Sequence, residues 1–302
     1  MRIAILGAGA TGKAFAFFLS RQNDLLLIAK KDAAFALRKG LSVKGVESGH
    51  LKPDISVFPS SKRELADIDY LIIALKTYDT HDALSTLRFH LPEDVPVVSF
   101  QNGFDNFSII RNALPNPVVS GTTTLAVTQL DAASIKIVSK GITLTGALDK
   151  RAEPHALTFS RILRSVGLEA RFSRHILKEI WLKSVSNACI NPLTALTRRN
   201  NGAVCEIREL RSLSMSICVE ASRIAEMMHL TLSPSVLFRK VMRVAEATSA
   251  NRSSMLVDVE KGRKTEIEQL NGYLVDMAEK AGIDAPVNRT ILMLVKGASS
   301  AG

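Results

Sequence analysis

The chain has 302 residues, enough for about two domains at ~150 residues each. Hydrophobic residues make up 46% and charged residues 23%, the balance of a folded globular protein, and its 17 Gly and 10 Pro are dispersed, which excludes long disorder and collagen-like or low-complexity architectures. A net charge of +10 favours anionic partners; with 5% aromatic residues and scattered rather than striped basic residues, it favours a small anion over nucleic acid.

Residues 2–6 (Arg-Ile-Ala-Ile-Leu) form an apolar run closed by Gly7 and predict a buried parallel strand. Gly7-Ala8-Gly9-Ala10-Thr11-Gly12 follows, then a helix from Lys13 to Arg21 with Phe15, Phe18 and Leu19 at helical spacing, then a second buried strand from Asp24 to Ala29. These make a strand–helix–strand unit of about 30 residues. A helix over 31–39, a strand over 70–75, a helix over 79–91 and a strand over 96–100 continue the alternation, which implies a parallel sheet with helices on both faces. Between Val118 and Thr145, β-branched runs such as 122–128 and 135–137 predict antiparallel strands closing the sheet edge. A helix over 152–166 and a strand over 168–172 complete this half.

Beyond Ser173 the strand signals stop, and helical patterns cover 175–197, 204–230, 234–247, 252–260, 264–281 and 288–296. Pro192 is expected to end or kink the first of these. The small, polar tail Gly297–Gly302 reads as mobile. The expected fold is α/β: a Rossmann-type, doubly wound dinucleotide-binding domain over residues 1–172, then an all-helical domain over 173–302.

The first glycines carry the strongest local signal. Gly7 permits a tight turn, Gly9 lets the backbone approach a pyrophosphate, and Gly12 lets the helix pack on the strand. The helix start, with Ala10 and Thr11, presents N–H groups and partial positive charge to the phosphates. The same residues match most of a P-loop, Gly7-x-x-x-x-Gly12-Lys13, but Ala14 stands where Ser or Thr must hold Mg²⁺, so the dinucleotide reading is preferred. At the end of the second strand, where an NAD-binding chain carries Asp or Glu, stand Lys30 and Lys31. Ammonium groups there attract a 2′-phosphate, so the expected cofactor is NADP(H); a solvated turn is the plainer alternative.

In the second half, Lys183, Asn187 and Asn191 are spaced i, i+4, i+8 and share one helix face, each about 40° further round. One ammonium and two amides amid apolar neighbours suit a small polar anion. Lys183 can polarise a ketone oxygen and give it a proton, with its pKa lowered by partial desolvation. On spacing alone, a surface pair of Glu179 with Lys183 is the more ordinary reading. Ser253 and Ser254 can be simple helix caps, Asn102-Gly103 a simple turn, and Glu266 a first-turn residue complementing a helix dipole.

Cys189, Cys205 and Cys218 fit neither a disulfide framework nor paired metal ligands and read as reduced thiols. The six His lack metal-ligand spacing, so no metal is expected. No apolar run approaches the ~18–20 residues that span a bilayer, and Met1–Gly7 is too short for a signal peptide. A cytoplasmic protein, monomer or homodimer, with no membrane or nucleic-acid partner is expected.

The stretch from Trp181 to Leu196, containing Lys183, Asn187, Asn191-Pro192 and Thr194, resembles the signature of the ketopantoate reductases (2-dehydropantoate 2-reductases). So do Asn251–Asp258, Gly262-Arg263-Lys264-Thr265-Glu266-Ile267, Asn271-Gly272, Gln101-Asn102-Gly103 and Ala74-Leu75-Lys76; with the glycine loop, the resemblance runs from residue 1 to about 296. It implies a Rossmann domain joined to a helical domain like the C-terminal one of 6-phosphogluconate dehydrogenase. It also implies NADPH-dependent reduction of ketopantoate to pantoate, on the route to pantothenate and coenzyme A. By this resemblance Lys183 is the catalytic lysine and Glu266 the active-site glutamate, also against the cofactor. Asn187, Asn191 and Ser254 bind substrate, and Asn102 and Lys76 line the cofactor and reaction site. The substrate is then a small anionic 2-oxo acid. A same-fold reductase of another 2-oxo acid and a non-catalytic NADPH-binding sensor remain alternatives.

Overall fold

The computed structural model describes residues 1–299. In the N-terminal part the strands are β1 (Arg2–Leu6), β2 (Asp24–Ala29), β3 (Leu41–Gly45), β4 (Gly49–Leu51), β5 (Asp54–Val57), β6 (Tyr70–Ile73), β7 (Val97–Ser99), β8 (Val118–Thr123), β9 (Ala126–Asp131), β10 (Ser134–Ser139), β11 (Ile142–Ala147) and β12 (Glu169–Phe172). Its helices are α1 (Ala10–Leu19), α2 (Lys31–Leu37), α3 (Lys62–Leu65), α4 (Thr80–Leu87), α5 (Asn106–Ala113) and α6 (Glu153–Ser165).

The main sheet has eight strands in the order β12-β11-β8-β7-β6-β1-β2-β5. From β5 to β8 all pairings are parallel, as strand–helix alternation dictates. Strands buried on both faces explain the unbroken apolar runs in β1, β2 and β6. One face packs against α1 and α6 through Phe15, Phe18, Phe159 and Leu163. The other packs against α3, α4 and α5 through Leu65, Leu84, Leu87 and Ile110. This is the doubly wound fold expected from the sequence.

Two regions differ from expectation. The β-branched stretch after Val118 does not simply close the edge. β8 joins the main sheet parallel to β7, and β11 returns antiparallel to β8. β9 and β10 leave it to build a separate four-stranded sheet, β4-β3-β10-β9. Apolar Leu41, Val43, Ile135 and Ile137 bury this second sheet in the same core as α1. Strands β3, β4 and β5 were unforeseen.

The second part is helical: α7 (Ile176–Thr197), α8 (Ala203–Glu206), α9 (Arg208–Met227), α10 (Pro234–Ala247), α11 (Ser254–Glu260), a π-helical turn at Glu268–Gly272, α12 (Tyr273–Ala281) and α13 (Pro286–Ser299). The chain divides into two compact units, one of residues 1–102 and 106–177, the other of 103–105 and 178 onward. The helical unit has its own core around Trp181, Val185, Ile217, Leu256 and Leu274.

Here too local expectations give way. The helix expected over 204–230 is two, separated at Ile207, whose backbone is extended. The pattern over 264–281 becomes helical only from Glu268. Pro192 does not end α7, which continues to Thr197. Residues 297–299, assigned to the tail, extend α13; 300–302 lie outside the described residues.

Candidate active site

The glycine loop is built by backbone constraints. Gly7 ends β1 at φ +115°, and a Cβ there would stand 2.7 Å from the Ala74 carbonyl oxygen. Gly7 N donates to Ile28 O at 2.9 Å, and Ala74 N donates to Leu6 O at 2.8 Å, pinning the loop between β2 and β6. A Cβ on Gly12 would collide with the Gly7 carbonyl, so α1 seats directly on the strand end. Gly9 is exposed, and the nearest atom to an added Cβ is Ala74 O at 3.9 Å. No side chain caps α1 at Gly9. The first-turn N–H groups, those of Ala10 and Thr11 included, have no intrahelical acceptor. Bare backbone at the positive end of a helix dipole fits a diphosphate.

Lys13 separates this loop from a P-loop. It is buried within α1; burial lowers its pKa, and the opposing charge is Asp131 at the end of β9. Lys30 is different. It is the N-cap residue of α2, with its side chain 81% exposed, and its Nζ stands 3.9 Å from Asp79 Oδ2. Since β2 and β6 flank β1, this pair spans the mouth of the glycine loop. Lys31 is exposed at the first residue of α2.

Lys76 and Asn102, both half-buried, lie on the loops after β6 and β7. Gln101 ties these loops together: its Nε2 donates to Leu75 O at 2.9 Å and to Thr80 Oγ1 at 2.7 Å. The Asn102 carbonyl accepts from Thr77 Oγ1 at 2.9 Å and from Asn106 Nδ2 at 3.0 Å. Gly7, Gly9, Gly12, Lys30, Lys76 and Asn102 thus stand together at the C-terminal edge of the parallel sheet, where such folds bind ligands.

In the helical unit, Lys183, Asn187 and Asn191 form one row on α7, with Lys183 and Asn187 half-buried and Asn191 buried. Burial lowers the Lys183 pKa from 10.5 to about 8, and the negative charge of Glu266 opposes that shift. The carboxylate acting on Lys183 is therefore Glu266, not Glu179, whose spacing had suggested a surface pair. Glu266 is buried and lies just before the π-helical turn rather than in the first turn of a helix.

Ser253 is the N-cap of α11: its hydroxyl accepts from Leu256 N at 3.1 Å and from Thr194 Oγ1 at 2.7 Å. That fixes α11 to α7 and leaves the adjacent Ser254 exposed at the first helical residue. The Phe104 ring stacks on Tyr273 at 5.0 Å and meets buried Trp181 edge-on at 4.7 Å. The three Cys carry no site: Cys189 and Cys218 are fully buried, and burial raises the Cys189 pKa. Among the described residues, no group of three or more His, Cys, Asp or Glu is placed to hold a metal ion, and no helix is long and apolar enough to cross a membrane.

Sequence reasoning missed Asp79, whose signal appears only once β2 and β6 are seen to flank β1. It also missed Glu220, a buried carboxylate on α9 that accepts from three N–H groups at the start of α13.

A parallel sheet with a bare glycine cradle, joined in sequence to a helical unit with a desolvated lysine beside a carboxylate, defines a dinucleotide-dependent oxidoreductase. The family model for ketopantoate reductase PanE/ApbA matches residues 3–150, and that for the ketopantoate reductase PanE/ApbA C terminus matches 175–299. The chain belongs to the ketopantoate reductase family. It is 35% identical to the 2-dehydropantoate 2-reductase of Archaeoglobus fulgidus, covering 99% of this chain and 98% of that one. It is 31% identical to that of Escherichia coli O157:H7, covering 98% and 94%. Among solved structures, a D-mandelate dehydrogenase with NADH and anilino(oxo)acetate superposes with a TM-score of 0.94 at 22% identity, covering 100% and 99% of the two chains. A PanE/ApbA family ketopantoate reductase from Ralstonia eutropha JMP134 superposes with a TM-score of 0.90 at 23% identity, covering 99% of each.

Proposed function

We propose that the protein reduces 2-dehydropantoate to pantoate with NADPH. The observation that carries this reading is the α7 row: an ammonium with a pKa near 8, offset by Glu266, followed on the same face by two amides. The glycine cradle holds the dinucleotide through Gly7, Gly9, Ala10, Thr11 and Gly12, Lys30 and Lys31 attract its 2′-phosphate, and Lys76, Asn102 and Glu266 line it. When bound, the dinucleotide supplies a hydride to the ketone carbon. Lys183 polarises the ketone oxygen and gives it a proton as charge develops there. Asn187 and Asn191 bind the carboxylate and hydroxyl by amide donors, with Ser254 and Asn102 adding hydrogen bonds. Glu266 keeps Lys183 protonated and accepts from the substrate hydroxyl.

In this reading residues 1–172 are the NADP-binding domain and 173–302 the substrate and catalytic domain. The enzyme is cytoplasmic, monomeric or homodimeric.

The relatives named 2-dehydropantoate 2-reductase support the substrate. The likeness to a D-mandelate dehydrogenase keeps an aromatic 2-oxo acid as the second reading. Loss of NADPH absorbance is to be followed with 2-dehydropantoate, 2-oxoisovalerate and phenylglyoxylate, each with NADPH and NADH. Fastest turnover with 2-dehydropantoate and NADPH is expected. Preference for either other acid gives the reaction a different substrate, and NADPH binding without any turnover would make the protein a sensor.

A further inference from the structure

Proline has no N–H, so Pro192 cannot bond the carbonyl four residues back, that of Ala188, and its ring crowds that oxygen. Yet α7 runs on to Thr197. The missing donor comes from elsewhere: Asn271 Nδ2 donates to Ala188 O at 3.1 Å. Asn271 is fully buried in the π-helical turn that opens two residues after Glu266. Ala188 itself lies next to Asn187, inside the Lys183–Asn191 row.

A chain of hydrogen bonds fixes the orientation of this amide. Asn271 Nδ2 also donates to Asn288 Oδ1 at 2.9 Å, and Asn288 Nδ2 donates to Glu220 Oε2 at 2.6 Å. Glu220 further accepts from Val287 N at 2.9 Å and from Asn288 N at 3.0 Å. As acceptor of these N–H groups, Glu220 turns the Asn288 amino group toward itself and the Asn288 oxygen toward Asn271. Asn271 must then present its own amino group, which reaches Ala188. Its Oδ1 is left buried without a partner. A buried unpaired acceptor is costly, so donation to Ala188 and Asn288 decides how the amide sits.

We propose that Asn271 is a positioning residue for the reaction: it splints α7 across Pro192, so that Lys183, Asn187 and Asn191 stay on one continuous helical face, with Glu220 setting the polarity of the splint through Asn288. The placement rests on the reduction proposed above; the splint itself does not.

The test uses N271A, P192A and the double variant, because alanine at 192 restores the helix's own N–H to Ala188. Amide hydrogen exchange of α7 and steady-state reduction of 2-dehydropantoate by NADPH are measured on each. N271A is expected to speed exchange around residues 188–197 and to lower kcat by about tenfold to a hundredfold, with the KM for NADPH little changed. The double variant is expected to recover slow exchange and most of kcat, to within about threefold of the P192A enzyme. Recovery cannot come from a general loss of core packing, which alanine at 192 does not repair. If the double variant is as impaired as N271A, or N271A exchanges and turns over like the parent, the splint is refuted. If N271A does not fold, recovery of folding in the double variant supports the splint and its absence overturns it. Should the parent protein fail to reduce 2-dehydropantoate, the proposed reaction falls while the exchange comparison still decides the splint.

Discussion

Lys30 and Lys183 are the same side chain in different surroundings. Lys30 stands in water at the end of β2, 3.9 Å from Asp79 and able to swing toward an incoming anion. Lys183 is held in α7, desolvated until its pKa falls to about 8, with Glu266 limiting the fall. An exposed ammonium offers attraction tempered by solvent. A desolvated one holds its proton loosely enough to give it away near neutral pH. Lys13 sharpens the contrast: it too is buried with a lowered pKa, but the charge that answers it belongs to Asp131, on the second sheet. Burial alone therefore does not tell the two apart; the neighbouring groups do.

The largest effect should follow removal of the desolvated group. Lys183→Ala is expected to cut kcat by about 10³-fold, while the Kd for NADPH, measured by fluorescence titration, stays within about twofold. Near-normal turnover would place the proton donor elsewhere. Next comes the exposed group: Lys30→Ala should weaken NADPH about tenfold relative to NADH in kcat/KM, with kcat unchanged. The smallest effect is expected at Asp79, which draws on the charge of Lys30. Asp79→Asn should improve the NADPH to NADH ratio about twofold at low salt, and the gain should fade as salt rises. A loss of NADPH preference there would mean that Asp79 holds Lys30 in place rather than competing for it.

How much of this was legible depended on whether the constraint was local. The glycine loop could be read because two of its glycines answer backbone demands set within a few residues: positive φ at Gly7 and contact with the strand end at Gly12. The second sheet could not, because β3 and β4 are short and half exposed, and β3 pairs with β10, some 90 residues on. That Pro192 does not end α7 was hidden for the same reason. The rule that proline stops a helix is local, and Asn271, which supplies the donor, lies 83 residues from Ala188. The Lys183–Asn187–Asn191 row was visible as spacing. What separates it from a surface stripe is partial burial and Glu266, and neither is a property of the row itself.

Whether Lys183 is the proton donor is decided by the pH dependence of kcat/KM for reduction, measured in the parent enzyme and in Glu266→Gln. A donor must carry its proton, so the rate should fall as pH rises through about 8. Glu266 raises the Lys183 pKa, so neutralising it should move that fall to lower pH. A profile that stays level to pH 10, or a fall that Glu266→Gln leaves in place, would contradict the assignment.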